Sequence, residues 1–402
     1  MRLLSNPLVH KAVAIFGLIA FGVQIIRFHM RAGLPKPWPV TDFDAFYLAG
    51  QRALNGEYEK TYSFASYKPF YQAFTGADTY ATWTYPPQFG LIVAPLASID
   101  FTVSYILFTI VTLGAYLLVI RKLAGPAAGA VITLVFPAAV LNLLTGQNGF
   151  LTAALIGASS LLLIGNSAAA GVTLGLMTIK PHIAATLGLY CIVARRWAVV
   201  ATAIATVLAT SVLATFYFGV GVWGAFLEGA RETSMFLASA AHPLHRMPSF
   251  YALLRTTGFS ANASFIGQVF VSLLAMGLVA LIAIRQWPTR QALGMTVLLG
   301  LFISPYVYDY DLPILGVAIA LLLPELETRA SALEQAGVMM LAWTAAFWGF
   351  GLQRAQQYMG APANAEIAGP SLGGLFLLLL AALMWRIVRR EHSKAPLKPA
   401  AI

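Results

Sequence analysis

The chain has 402 residues, of which 59% are hydrophobic and only 10% charged, with a mean hydropathy of +0.76. That balance excludes a soluble globular domain and a disordered chain, and it defines a polytopic membrane protein. Apolar runs of roughly 18 to 25 residues recur along the sequence, where a transmembrane β-barrel would show alternating strands of about 10. The net charge of +10 points to nucleic acid only until its carriers are placed.

With the amino terminus inside, Arg2, Lys11, Arg121, Lys122, Arg195, Arg196, Arg285, Arg290, Arg329, Arg386, Arg389, Arg390, Lys394 and Lys398 fall at inner edges. The basic surplus is then the positive-inside signature, and no nucleic-acid partner is expected. The lone cysteine, Cys191, excludes intramolecular disulfides and cysteine metal sites.

The first apolar span, 9 to 28, has no small-residue cleavage site after it and is expected to stay as an anchor. Further crossings are expected at 101 to 120, 126 to 145, 148 to 165, 197 to 218, 262 to 284, 291 to 305, 311 to 324, 332 to 350 and 370 to 388. Together they predict an all-α polytopic membrane protein of about 10 to 12 transmembrane helices. Residues 1 to 390 form one domain with outer loops at 29 to 100 and 219 to 261, and 391 to 402 form a disordered cytoplasmic tail.

The stretch 168 to 194 is too long for one span. Arg121 with Lys122 and Arg195 with Arg196 lie on the same side, so the chain between them crosses an even number of times. Two spans cover 126 to 165, and the remainder must go out and come back as two short helices. Lys180, Pro181 and His182 form the turn, where proline ends the helix and the freed backbone groups need protein or a wet cavity around them.

This topology places the unusual polar residues on one face. Asp42 and Asp44 stand in TDFDAFYLAGQRALNG, Tyr85 in TWTYPPQFG, Gln147 and Asn148 in TGQNGF, and Lys180 and His182 in MTIKPHIA. His242, His245 and Arg246 stand in AHPLHRMPSF, and Tyr306, Tyr308, Asp309, Tyr310 and Asp311 in SPYVYDYDLP. Charges beside a bilayer are costly and mark functional sites by default.

Each has a plainer reading as well. Asp42 or Asp44 serves as a helix cap or as a general base toward a substrate hydroxyl. Tyr85 is an interfacial belt aromatic, or it leads a short apolar run ending at Asp100 whose helix lies in the outer interface or re-enters and suits a lipid substrate entering from the bilayer. Lys180 pairs with an aspartate, or it holds a phosphate, to which a compact ammonium is suited. His242 and His245 mimic a metal motif but lack a third ligand at a recognisable spacing, and Arg246 suits an anionic head group. Asp309 and Asp311 suit a cation, a proton relay, sugar hydroxyls or the orientation of Lys180, and Gln147 and Asn148 mark a turn or line the cavity.

The order DFDAFYLAGQRALNG, YPP, GQNGFL, KPH, SPYVYDYD, from the first span to about residue 315, resembles glycosyltransferase family 87. Such proteins are similar to polyprenol-phosphate-mannose-dependent mannosyltransferases. The resemblance implies a GT-C-type fold and a sugar taken from a polyprenyl-phosphate donor. It also implies an aspartate base after the first span, at the position of Asp42, with Asp44 on a variable position and Phe46 and Tyr47 as the aromatic pair. The family's Ser-Pro motif often continues to a tryptophan and a histidine, where this chain has Tyr308 and Tyr310.

The expectation is therefore an inverting glycosyl transfer at the periplasmic face of a bacterial inner membrane, with both termini cytoplasmic. Asp42 acts as base, and Lys180, His182 and Arg246 hold the donor phosphate. Asp44, Tyr47, Tyr85, Gln147, Asn148, His245, Tyr308, Asp309, Tyr310 and Asp311 contact the sugar or its glycolipid or glycan acceptor. No cofactor and no metal are needed on this account. The alternative class is a transporter or lipid flippase in which Lys180 and Asp309 form a coupling pair, although inverted repeats are lacking.

Overall fold

A computed structural model describes residues 6–38, 40–78, 81–360 and 367–390. The proposed tail, 391 to 402, lies outside the described residues. Among those described, all regular structure is helical. The α-helices are α1 (Pro7–Met30), α2 (Asp42–Leu54), α3 (Phe64–Thr75), α4 (Pro87–Leu96), α5 (Phe101–Ala124), α6 (Ala128–Leu134), α7 (Phe136–Thr145), α8 (Gly149–Ile164), α9 (Ala170–Leu176) and α10 (Pro181–Val193). They continue with α11 (Trp197–Phe218), α12 (Gly221–Ala238), α13 (Phe250–Thr256), α14 (Ala261–Ile284), α15 (Thr289–Gly300), α16 (Ile314–Leu321), α17 (Leu323–Arg329), α18 (Ala332–Tyr358) and α19 (Gly373–Arg389).

Local chemistry sets several of the boundaries. Asn6 caps α1 by accepting the Leu8 N–H at 2.9 Å, with Pro7 at the first helical position. Asp100 caps α5 through the N–H groups of Thr102 and Val103, and Ser331 with Glu334 forms a capping box on α18. Among the described residues four segments are long and apolar enough to cross a membrane: Pro7–Met30, Phe101–Leu134, Trp197–Phe218 and Ala261–Ile284. Their outward faces carry exposed Leu, Ile, Val and Phe such as Leu18, Val111, Val212 and Phe270, as a lipid-facing surface requires.

Two expected crossings are not single helices. The run 126 to 145 breaks at Val135, ahead of Pro137, into α6 and α7. The run 311 to 324 becomes a 3-10 turn at Asp309–Asp311, then α16, then α17 beginning beside Pro324. At 1.5 Å per residue, α15 and α16 reach only about 18 Å and 12 Å, short of a ~30 Å hydrocarbon core. Every residue of α16 is buried, so it is a central helix enclosed by its neighbours.

The stretch 168 to 194 turns back on itself. Thr202 of α11 donates to the Ala168 carbonyl just before α9, and Arg196 just before α11 hydrogen-bonds Asn166. The start of α9 and the end of α10 therefore share one level, with Lys180 at the far turn. Gly171 and Gly175 allow α9 to lie against α11, where a Cβ would meet the Val199 and Ala203 carbonyls at 2.3 and 2.7 Å.

The bundle has two chemically distinct ends. At one, Arg290 donates to the carbonyls of Leu321, Ala320 and Leu123, closing the far ends of α16 and α5, and Arg390 pairs with Glu334. At the other, Tyr105, one turn into α5, donates to the Leu143 carbonyl at the end of α7, and deeper between the two ends Tyr116 donates to the Pro313 carbonyl ahead of α16. The polar motifs gather at this second end.

Candidate active site

The first turn of α2 sets one wall. Thr41 is the N-cap, and Asp44, three residues on, accepts the Thr41 N–H at 2.6 Å and its hydroxyl at 3.1 Å. Capping therefore belongs to Thr41 and Asp44, and Asp42 is freed of it at the first helical position. Phe43, fully buried, packs on Phe101, Tyr105 and Phe108. The α7–α8 turn comes down on it through Gly146, at φ +69°, where a Cβ would lie 2.6 Å from that of Phe43. No other residue type allows both that approach and that backbone. The next residue, Gln147, thereby reaches the Asp42 carboxylate.

The rest of the site closes around Asp42. Gln147 Oε1 accepts the Tyr85 hydroxyl at 3.1 Å. Lys180 Nζ bonds Asp311 Oδ1 at 2.6 Å and lies 5.1 Å from the centre of the Tyr310 ring and 5.8 Å from that of Tyr85. Arg246 grips Asp309 with Nε and Nη2 at 2.9 and 2.8 Å, and its guanidinium lies 5.8 Å from the Tyr310 ring centre. Tyr308 and Tyr310 stack at 5.0 Å and 8°, while Asp311 folds their loop back by accepting the Tyr308 N–H. Arg246, Asp309 and Lys180 are all near enough to act electrostatically on Asp42.

Six segments thus meet, contributing Asp42, Tyr85, Gln147, Lys180, Arg246 and 308 to 311. Three carboxylates face two cations. Burial, opposed by Arg246 and reinforced by Asp309, pushes the Asp42 carboxyl up to about 6. Each cation keeps donors beyond its partner, because an ammonium has three and a guanidinium five.

Other expected residues stand differently. Asp44 is fully buried, with one oxygen held by Arg31 and the other by Arg31 and Thr41, so substrate contact is not open to it. Tyr47 points away, its hydroxyl on the Ile99 carbonyl at 2.9 Å and its ring on Phe101. Lys180 pairs with Asp311, and Asp309 belongs to Arg246, which replaces the Lys180–Asp309 couple.

His182 lies beside Lys180 and Asp311 with Nε2 buried and unpartnered. His245 bonds Gln353 of α18, and burial with Arg246 beside it holds its imidazole down at about 4; that ring is neutral at physiological pH. His242 Nδ1 meets the Tyr308 hydroxyl at 3.5 Å. Among the described residues no three His, Cys, Asp or Glu side chains gather as a metal site.

Asn148 is wholly buried, and its side-chain amide makes no hydrogen bond of ordinary geometry with the protein. Two contributors escaped sequence reasoning. Asn142 Nδ2 holds the Tyr310 carbonyl at 2.6 Å, and an asparagine inside the apolar helix PAAVLNLLT was the available signal. Arg31 carried none, because it reads as an ordinary charge at the end of a membrane helix.

The fold and this site define a membrane protein whose helix ends bring together a partly buried set of carboxylates, cations and tyrosines. Residues 83–305, just over half of the chain, match the model of glycosyltransferase family 87, and the chain belongs to that family. No curated protein and no solved structure matches significantly. The protein is therefore a membrane glycosyltransferase, and the transporter alternative is set aside. The matched segment contains Tyr85, Gln147, Lys180 and Arg246. Asp42 and residues 308 to 311 lie outside it and join the site through the fold.

Proposed function

We propose that the protein transfers a sugar, mannose or a related hexose or pentose, from a polyprenyl-phosphate donor to a hydroxyl of a glycolipid or glycan, with inversion and within a GT-C-type fold. The observation that carries this reading is the convergence of Asp42, Lys180 and Arg246 from three distant segments. Asp42 Oδ accepts the proton of the acceptor hydroxyl as that oxygen forms a bond to the anomeric carbon. The bond from that carbon to the phosphate oxygen breaks, and its electron pair leaves with the polyprenyl phosphate. A carboxyl poised at about 6 is mostly ionised at neutral pH yet more basic than a free aspartate, which suits a general base.

The departing phosphate gathers charge, and the spare donors of Lys180 and Arg246, with His182 beside them, stabilise it. The stacked Tyr308 and Tyr310, together with Tyr85, Gln147 and Asn148, offer faces and polar groups to the sugar, and Asp309 and Asp311 keep the two cations in place. His245 braces the Arg246 loop against α18, where a Cβ on Gly349 would lie 2.0 Å from the His245 carbonyl. We place the site at the periplasmic face of a bacterial inner membrane with both termini cytoplasmic, because the basic residues concentrate at the opposite end. Residues 1 to 390 act as one domain with outer segments 29 to 100 and 219 to 261, of which 29 to 85 and 219 to 261 position the acceptor.

Two measurements test the reading. Purified protein in vesicles is expected to transfer sugar from a synthetic polyprenyl-phosphate sugar and not from a nucleotide sugar; the reverse preference overturns the donor assignment. A Lys60→Cys, Cys191→Ser protein in intact cells is expected to react with an impermeant maleimide, since Lys60 is exposed in the outer segment. Reaction only after lysis overturns the orientation.

A further inference from the structure

Arg31 stands in the 3-10 turn that follows α1 and is only 5% exposed. Its guanidinium spans the two oxygens of the fully buried Asp44, and it lies 4.8 Å and 5.3 Å from the ring centres of Phe28 and Phe101. A buried ion pair contributes little net stability, and apolar replacements of similar volume often do as well. What a bidentate pair adds is fixed geometry.

The fixed element here is the turn that carries Asp42. The oxygen of Asp44 that Arg31 Nη2 reaches at 3.2 Å is the one that accepts the Thr41 N–H and hydroxyl. The clamp therefore runs from the end of α1 through Asp44 to the residue immediately before Asp42. From the other side, Tyr71 donates to the Thr41 carbonyl and Tyr67 to the Ala45 carbonyl. Asp42 is held between these anchors, while the largest influences on its charge come from burial and from Arg246, Asp309, Gln147 and Lys180 on the other side of the site.

We propose that the Arg31–Asp44 pair is a positioning device for the base, fixing where the Asp42 carboxylate sits relative to the acceptor hydroxyl without setting its basicity. This rests on the assignment of Asp42 as base. A general base acts only within hydrogen-bond reach of its proton, and displacement by about 1 Å costs on the order of 100-fold in rate. The clamp therefore acts on kcat and leaves donor affinity, which belongs to the cationic side of the site, as it was.

The test is the double variant Arg31→Leu, Asp44→Asn. It leaves no orphaned charge and keeps an amide oxygen for Thr41. Transfer is measured beside Asp42→Asn, with folding followed by reaction of the buried Cys191 during heating. The expected result is a kcat lowered about 10- to 100-fold per folded enzyme, with the donor KM within about twofold, the acid limb of the pH profile unmoved and Cys191 as protected as in the parent. Parent kcat in the double variant overturns the proposal, as does a loss that vanishes on normalising to folded protein or a shifted acid limb. If Asp42→Asn itself transfers at the parent rate, the base assignment fails, which is a separate result from a failure of the clamp alone.

Discussion

Removing Lys180 is expected to unfold the protein more readily than removing Lys180 and Asp311 together. Lys180 is 7% exposed and Asp311 not at all, with 2.6 Å between Nζ and Oδ1. A Lys180→Met change keeps most of the stem against the Tyr310 and Tyr85 rings but leaves the fully buried Asp311 carboxylate without its cation. Orphaning one member of a buried pair costs about 3–5 kcal/mol, of which about 1 kcal/mol remains recoverable through the Tyr308 N–H that Asp311 also binds.

Adding Asp311→Asn removes the stranded charge while its side-chain oxygen still accepts that N–H, so most of the loss should return. Cys191 is the only cysteine and is fully buried, which makes its reaction with a thiol-reactive fluorophore during heating a direct measure of unfolding. The single variant is expected to lose roughly 3–6 °C and the double variant less than half of that, a coupling of about 2 kcal/mol. The double variant should nonetheless remain inactive, because a methionine cannot hold the leaving phosphate. A Lys180→Met protein as stable as the parent, or a double variant no better than the single, would refute the electrostatic account of this pair.

Further outcomes follow from the same geometry. Asp42 has a carboxyl raised from 3.8 to about 6, so its ionisation opposes folding: the contribution is best below the unfolded value and is lost as pH rises through about 6. Asp42→Asn is thus expected to stabilise the protein at pH 8, by at most about 3 kcal/mol, and to be neutral near pH 4, as Cys191 protection at the two pH values will show. In the parent enzyme kcat/KM should fall below an apparent value near 6, and a flat profile from pH 5 to 8 would contradict Asp42 as base. Gly146→Ala, forced to φ +69° and into the Cβ of Phe43, should cost about 2–3 kcal/mol and most of the activity, measured by the same labelling and by transfer rate.

Much of this architecture was legible because hydrophobicity and charge act at long range along a membrane chain. The span 197 to 218 coincides with α11, and even-crossing parity located the turn at Lys180 before any contact was known. The charge surplus likewise sorted the suspicious polar residues to one end. Short-range chemistry was harder to see: Asp42 and Asp44 are two residues apart and share the same chemical alternatives, so that beside the family resemblance only the Thr41 capping box and the Arg31 clamp separate them.

Which aspartate answers which cation depends on packing between α10, the 3-10 turn at Leu244–Arg246 and the turn at Asp309–Asp311, and sequence spacing carries no trace of that. The breaks at Val135 and Leu322 were signalled by Pro137 and Pro324, but the high hydropathy around them concealed the interruption.

The most direct measurement is single-turnover transfer from a purified polyprenyl-phosphate sugar by reconstituted Asp42→Asn protein, compared with the parent at pH 7.5 and normalised to folded enzyme. Loss of the base is expected to slow the chemical step by about 100- to 10,000-fold while donor binding is retained. Transfer at the parent rate by the folded variant would contradict the account.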